Sequence, residues 1–217
     1  MSIIEIKGPI NLRKTTILNL IKEKLKNCLF IEVDNLIFKD KKKQFKNREE
    51  GWIEHLKRLD IVIRRATPED ALAIKKIHFK AYQKSYRGYV PDEYLNALVL
   101  DDDVVERTNQ HLKTGESWLA FYKNKPAGFA DVTYYDNKVF EIQALYVDPK
   151  YQKHGVGSAL VSYLCKNKKE TGYKKCILWT IKQGPSLVFY EKMKFRSTNE
   201  EKMWKFEIPI IKLEKDL

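Results

Sequence analysis

The stretch Leu145-Tyr146-Val147-Asp148-Pro149-Lys150-Tyr151-Gln152-Lys153-His154-Gly155-Val156-Gly157-Ser158-Ala159-Leu160 decides how the chain is read. Residues 139–147 predict a strand. Asp148-Pro149 stops it, a polar loop follows, and Gly155 and Gly157 open a helix that runs to about Lys169 and ends at Gly172. Glycine lets backbone N–H groups come close to a ligand. A helix start adds unpaired donors and a dipole that favours anions. The segment reads as a diphosphate cradle, with Lys153 and His154 adding positive charge beside it. A plain helix cap with turn glycines is the alternative. A dinucleotide fingerprint is excluded, because its third glycine would fall on Leu160. A P-loop is excluded here, because no Lys-Ser/Thr pair follows.

Working outward, Ile61 to Arg65 predict a strand and Thr67-Pro68-Glu69-Asp70 a helix start. Leu72, Ile74, Ile77, Ala81 and Tyr82 are the expected buried face of that helix. Residues 92–113 predict one or two helical pieces, and 117–122 and 127–135 two strands joined by a tight turn. Beyond the central helix come strand 175–181, helix 185–193 and one or two strands across 195–210, with the terminal KLEKDL expected to fray. Hairpins in the middle and strand–helix alternation later imply an α/β fold with a mixed (α+β) sheet. A boundary near residue 61 divides the chain into an N-terminal β-α-β extension, 1–60, and a larger domain, 61–217.

The composition agrees with a folded protein. Of 217 residues, 43% are hydrophobic and 12% aromatic, too many for a disordered chain. Seven Pro and nine Gly exclude collagen-like and Pro-rich classes. Three cysteines without a CxxC spacing argue against a disulfide scaffold and a cysteine zinc site, and no metal is expected. No apolar run reaches membrane-spanning length and no signal peptide is visible, so a cytoplasmic protein is expected. The net charge of +12 favours an anionic partner. The block Lys39, Lys41, Lys42, Lys43, Lys46 and Arg48 reads as a solvated loop. Without a nucleic-acid motif, nucleic acid is not the expected partner.

Gln152-Lys153-His154-Gly155-Val156-Gly157 resembles the acyl-CoA-binding motif Gln/Arg-x-x-Gly-x-Gly/Ala of the GCN5-related N-acetyltransferases. Leu187-Val188-Phe189-Tyr190-Glu191-Lys192-Met193-Lys194-Phe195 resembles their "FYEKLGF" signature. The resemblance spans about residues 61–208. It implies the acyl-CoA N-acyltransferase fold, acetyl-CoA as donor and CoA as product. It implies that residues 144–147, Leu145, Tyr146 and Val147 among them, line the pantetheine arm. Backbone N–H groups from Gln152 to Gly157 are then expected to hold the pyrophosphate, with Ser158 in the same first turn. Two sheet strands are expected to splay, with a bulge in the earlier one. Lys194 stands where the family has glycine, and Gln183-Gly184-Pro185-Ser186 where it commonly has Asn and small residues.

Acyl transfer to an amine needs a neutral amine, a polarised carbonyl and a proton for the departing thiolate. Tyr190, at the family's tyrosine position, is the expected acid, and Glu141 the expected base, directly or through water. Their plainer readings are a packed aromatic and an exposed strand carboxylate. Alternation places Glu141, Gln143 and Leu145 on one face before any bulge, and Gln143 is a candidate to orient substrate. The resemblance puts one acceptor wall between the first two helices, where Tyr82, Tyr86 and Tyr89 stand, with Asp92 and Glu93 as cation attractors and Asp131 as a further contributor. His78 and His111 are expected to be packing or surface residues. The predicted activity is acetyl transfer to a primary amine of a small molecule, polyamine-like, or of a peptide, by direct attack. A non-catalytic acyl-CoA-binding or regulatory protein is the alternative, and monomer and homodimer both stay open.

Residues 1–60 lie outside a minimal acetyltransferase. Gly8 and Lys14-Thr15 resemble a degenerate P-loop, but Arg13 occupies the second glycine position. A vestigial or docking module is expected there.

Overall fold

A computed structural model describes residues 60–217. The expected β-α-β extension, the Lys39–Arg48 block and Cys28 lie outside the described residues. The described chain runs β1 (Ile61–Arg65), α1 (Ala71–Tyr86), α2 (Asp92–Asn96), α3 (Asp102–Thr114), β2 (Glu116–Tyr122), β3 (Lys125–Tyr135), β4 (Val139–Val147), α4 (Val156–Glu170), β5 (Lys175–Ile181), α5 (Pro185–Lys192), β6 (Arg196–Met203) and β7 (Pro209–Asp216).

The strands form one seven-stranded sheet in the order β1-β2-β3-β4-β5-β7-β6. All neighbours are antiparallel except β4 and β5, which are parallel because α4 carries the chain between them. This is the mixed α/β sheet expected from the sequence. On one face α4 buries Val156, Leu160, Val161, Leu164 and Cys165, a stripe at helical spacing, against Ala130, Val132, Phe140, Ile142, Cys176 and Leu178. On the other face α1 and α3 bury Ile74, Ile77 and Leu112 against Leu119 and Phe129.

Two expectations need correction. Leu72 is 46% exposed, and Ala71 takes its place in the core. The helix proper begins only after a 3-10 turn at Pro68–Asp70, so its buried stripe runs through residues 71, 74, 77, 81 and 82, one position off Leu72. The C-terminal KLEKDL does not fray. It belongs to β7, which pairs with β5 on one side and β6 on the other. Cross-strand pairs neutralise its charges: Lys212 with Glu200 at 2.9 Å, Glu214 with Lys175 at 2.7 Å and Asp216 with Arg196 at 2.6 Å. Ile210, Ile211 and Leu213 fill the core from the same strand.

Candidate active site

The parallel ladder between β4 and β5 has only three rungs: Val139 with Lys175, Phe140 with Cys176 and Glu141 with Ile177. Beyond them β4 stays on β3 as far as Val147, and β5 stays on β7 as far as Ile181. The two strands part, and β4 has no strand partner on its β5 side from Ile142 onward. A bulge accompanies the parting. Asp131 of β3 pairs with Ala144 and Val132 with Ile142, so Gln143 has no opposite number. The extra residue reverses the alternation. Phe140 and Ile142 before it, and Leu145 and Val147 after it, all join the α4-side core, while Ala144 and Tyr146 turn to the α1 face. Glu141 and Leu145 therefore point to opposite faces, which corrects the simple alternation. Gln143 is exposed at the bulge.

The glycine loop closes the wide end of this wedge. Lys153 (φ +63°) and Gly155 (φ +87°) both adopt left-handed backbone, which turns the chain abruptly into α4. The first backbone N–H of the helix with a backbone acceptor is that of Ala159, which donates to Gly155 O at 2.9 Å. The N–H groups ahead of it are the unpaired donors of a helix start. Gly157 has no unusual φ, and an added Cβ would lie 3.4 Å from Phe189 Cζ, an ordinary contact. Internal packing does not demand glycine there, and the missing Cβ leaves this backbone open to close approach. Gln152 braces the loop: its Nε2 donates to Val147 O at 3.3 Å, and its Oε1 accepts from Lys84 Nζ at 3.1 Å. The His154 ring lies 5.1 Å from Tyr122, with Nδ1 2.9 Å from Gln152 O. The loop residues and the strand residues Leu145, Tyr146 and Val147 are thus contiguous along one wedge.

Tyr190 of α5 is buried in the cluster that holds Ile142 and Leu178, the residues immediately past the parting of the strands. Phe189 and Phe195 meet its ring edge-on at 5.0 and 5.7 Å. Burial, and then the nearby Tyr86 hydroxyl, push its pKa above the ordinary phenol range; it is protonated at neutral pH, as any tyrosine is, and a weaker acid than a free phenol. The turn after α5 forms despite the missing glycine. Lys194 takes the left-handed conformation (φ +67°), and Phe195 N–H returns to Tyr190 O at 3.0 Å.

On the α1 face a cavity of about 880 Å³ lies between α1, α3, β3, β4 and the β6–β7 turn. Such a size suits a small-molecule site. One end is aromatic: Tyr82, Tyr94, Tyr146 and Trp204. Tyr86 stands behind this wall, 4.3 Å from Tyr82 and 5.0 Å from Trp204. The other end carries Lys75, Arg107, His111 and Asp131, with His78 between the two.

The profile described as the Acetyltransferase (GNAT) family matches residues 74–195. The chain belongs to this family. It is 28% identical over 138 residues to the uncharacterized N-acetyltransferase YuaI of Bacillus subtilis, covering 60% of this chain and 78% of that protein. It is 29% identical over 159 residues to the probable N-acetyltransferase Rv2775 of Mycobacterium tuberculosis, covering 69% and 88%. Among solved structures, the PaiA N-acetyltransferase of Thermoplasma acidophilum in complex with coenzyme A superimposes with a TM-score of 0.61 at 20% identity, covering 72% of this chain and 99% of that one. The fold is thus the GNAT acyltransferase fold.

Within this GNAT domain the expected site residues separate. Tyr82 lines the cavity and Tyr86 backs it. Tyr89 turns its hydroxyl to Gln183 O at 3.4 Å and is not a lining residue, nor is Gln143. Glu141 lies at the last rung before the wedge, and its Oε2 accepts from Tyr135 Oη at 2.6 Å. By alternation it shares the α1 face, but it does not line the cavity. Asp92 is paired with Arg87 at 3.1 Å, outside the cavity. His78 and His111, expected as packing or surface residues, both line the cavity. Burial, with Lys75 adding to it, lowers the His78 pKa to about 4. Lys75 and Arg107 were not singled out by the sequence. The signals were there: Lys75, His78 and Tyr82 follow the i, i+3, i+7 spacing of one helix face, and Arg107 and His111 are i, i+4. No group of three or more potential metal ligands is found among the described residues, and no helix among them is long and apolar enough to cross a membrane.

Proposed function

We propose that the GNAT domain transfers an acetyl group from acetyl-CoA to a primary amine by direct attack. The observation that supports it best is the wedge: β4 leaves β5 after Glu141, and the glycine loop presents unpaired N–H groups at its open end. In this reading the backbone of residues 152–157, with Ser158, holds the pyrophosphate, and the freed edge of Leu145, Tyr146 and Val147 holds the pantetheine arm. Bound acetyl-CoA supplies the activated acyl group.

The chain's own residues do the rest. Tyr190, protonated at neutral pH, donates its proton to the departing sulfur and regains one from solvent. The α1-face cavity orients the amine, with Tyr82 and Tyr86 as one wall. Glu141 stands off the cavity lining, which favours removal of the amine's proton through water over direct abstraction. The test is CoA release from acetyl-CoA across polyamines, aminoglycosides, amino acids and short peptides. Turnover stimulated by one acceptor class is expected. Tight acetyl-CoA binding without turnover on any class would instead support the acyl-CoA-binding alternative.

A further inference from the structure

The charges in the cavity are unequally satisfied. Both carboxylates that line it are already engaged. Asp101 accepts from Val104 N–H at 2.8 Å and caps α3. Asp131 Oδ1 accepts the Ser117 hydroxyl at 2.5 Å, and its burial raises its pKa, weakening its hold on a cation. The cations that line the same space make no direct contact with a carboxylate. Lys75, Arg107 and Lys205 form no side-chain hydrogen bond or ion pair among the described residues, and of the three Lys75 is half-buried while Arg107 and Lys205 are exposed. Lys75 is half-buried on α1, so its ammonium is partly desolvated, and it feels the Asp131 charge without forming an ion pair with it. Burial, with Arg107 adding to it, lowers its pKa, although Asp131 opposes them. Charge left unsatisfied in a cleft favours a ligand of opposite sign.

We propose that the acceptor is an amine that also carries an anionic group, and that Lys75 and Arg107 bind that group at the far end of the cavity. The proposal rests on the acetyltransferase reading above, narrows its primary amine, and departs from the polyamine-like acceptor expected from the sequence. A polyamine would bring a second ammonium against Lys75 and Arg107. Asp92 and Glu93, expected from the sequence to draw it in, do not line the cavity, and Asp92 is held by Arg87. Arginine's fork and lysine's point charge both suit a carboxylate or a phosphate.

The cavity also sets a separation. The amine belongs near Tyr146, whose hydroxyl feels those of Tyr86 and Tyr190. Along α1 the charged end at Lys75 and the aromatic end at Tyr82 are seven residues apart, about 10 Å of helix. Between them His78 packs against Tyr146 at 4.8 Å and Tyr82 at 5.4 Å, so the middle of the cavity is aromatic. The fitting acceptor has an amine and an anion separated by an apolar spacer of several carbons.

The experiment uses the full chain, saturating acetyl-CoA and four acceptors of equal chain length: hexylamine, 1,6-diaminohexane, 6-aminohexanoate and 6-aminohexyl phosphate. CoA release is expected to give a kcat/KM at least tenfold higher for an anionic acceptor than for hexylamine, with the diamine poorest. The two anions show whether carboxylate or phosphate is preferred. The double variant Lys75→Met with Arg107→Gln should bring the anionic-to-neutral ratio near one, mainly through KM, and Lys75→Arg should keep it. A diamine equal to or better than the anionic acceptors overturns the proposal, as does a ratio that survives the double variant. If no amine is acetylated, the acetyltransferase reading falls. Calorimetric binding of 6-aminohexanoate against 1,6-diaminohexane with CoA present then decides the charge preference by itself.

Discussion

The two sides of the sheet at β4 are built by different means. The freed edge of β4 and the glycine loop come from one run of chain, residues 139–158, and present mostly backbone. The cavity on the α1 face comes from α1, α3, β2, β3, β4 and the β6–β7 turn, and presents side chains. Backbone donors at a helix start recognise any diphosphate and depend on few residue identities. Side chains gathered from distant segments can vary one at a time. The first arrangement suits a common donor and the second a particular acceptor.

Variants that strike one side and spare the other probe this division. Tyr190→Phe should have the largest effect, lowering kcat about 100-fold while CoA affinity changes little. Unchanged turnover would remove Tyr190 from the acid role and leave it a packed aromatic. Ser158→Glu puts a carboxylate in the first turn of α4. The helix tolerates it, since acidic groups there stabilise by about 0.5 kcal/mol, but a bound pyrophosphate would be repelled. CoA affinity should fall roughly tenfold, equivalent to about 1.4 kcal/mol, with the melting temperature held or raised. Retained affinity would show that the cofactor lies elsewhere.

Two smaller effects concern stability. Lys194→Gly should relieve a left-handed non-glycine residue (φ +67°) and stabilise the domain by about 1 kcal/mol in urea unfolding. A loss instead would mean that the lysine side chain supports the turn after α5. Asp131→Asn concerns the cavity. Burial raises the Asp131 pKa, against the opposing Ser117 hydrogen bond. A raised folded-state pKa gives stability that is full below the unfolded value and is lost as pH rises through the folded one. Asp131→Asn should therefore be neutral at acid pH and stabilising near pH 7, by about 0.5 kcal/mol. Equal or lower stability of the variant at pH 7 would show that the ionised carboxylate is held favourably in the cavity.

Much of the fold could be read from local signals. Strands 139–147 and 175–181 have their expected limits, and the α4 boundaries follow Gly155 and Gly172. These features depend on residue periodicity and on backbone conformations that few residues other than glycine adopt. The C-terminal strand was not legible. KLEKDL is polar enough to fray alone, and only its partners Glu200, Lys175 and Arg196, contributed by β6, β5 and the β6 start, make it a paired strand. Nor was the face of Leu145, because a bulge is a property of two paired strands and leaves no mark on either one.

The site divides in the same way. The sequence by itself determined the family and the glycine loop, since both rest on contiguous residues whose backbone geometry is local. It also pointed to Tyr190, but that side chain's placement beside the parting strands comes from the sheet and α5 together. Only the tertiary structure decided where β4 and β5 part, which tyrosines reach the cavity, and that Lys75 and Arg107 face it without a direct ion pair. Charge on a sequence is a sum. Whether a given charge is satisfied depends on what the fold brings within a few ångströms of it.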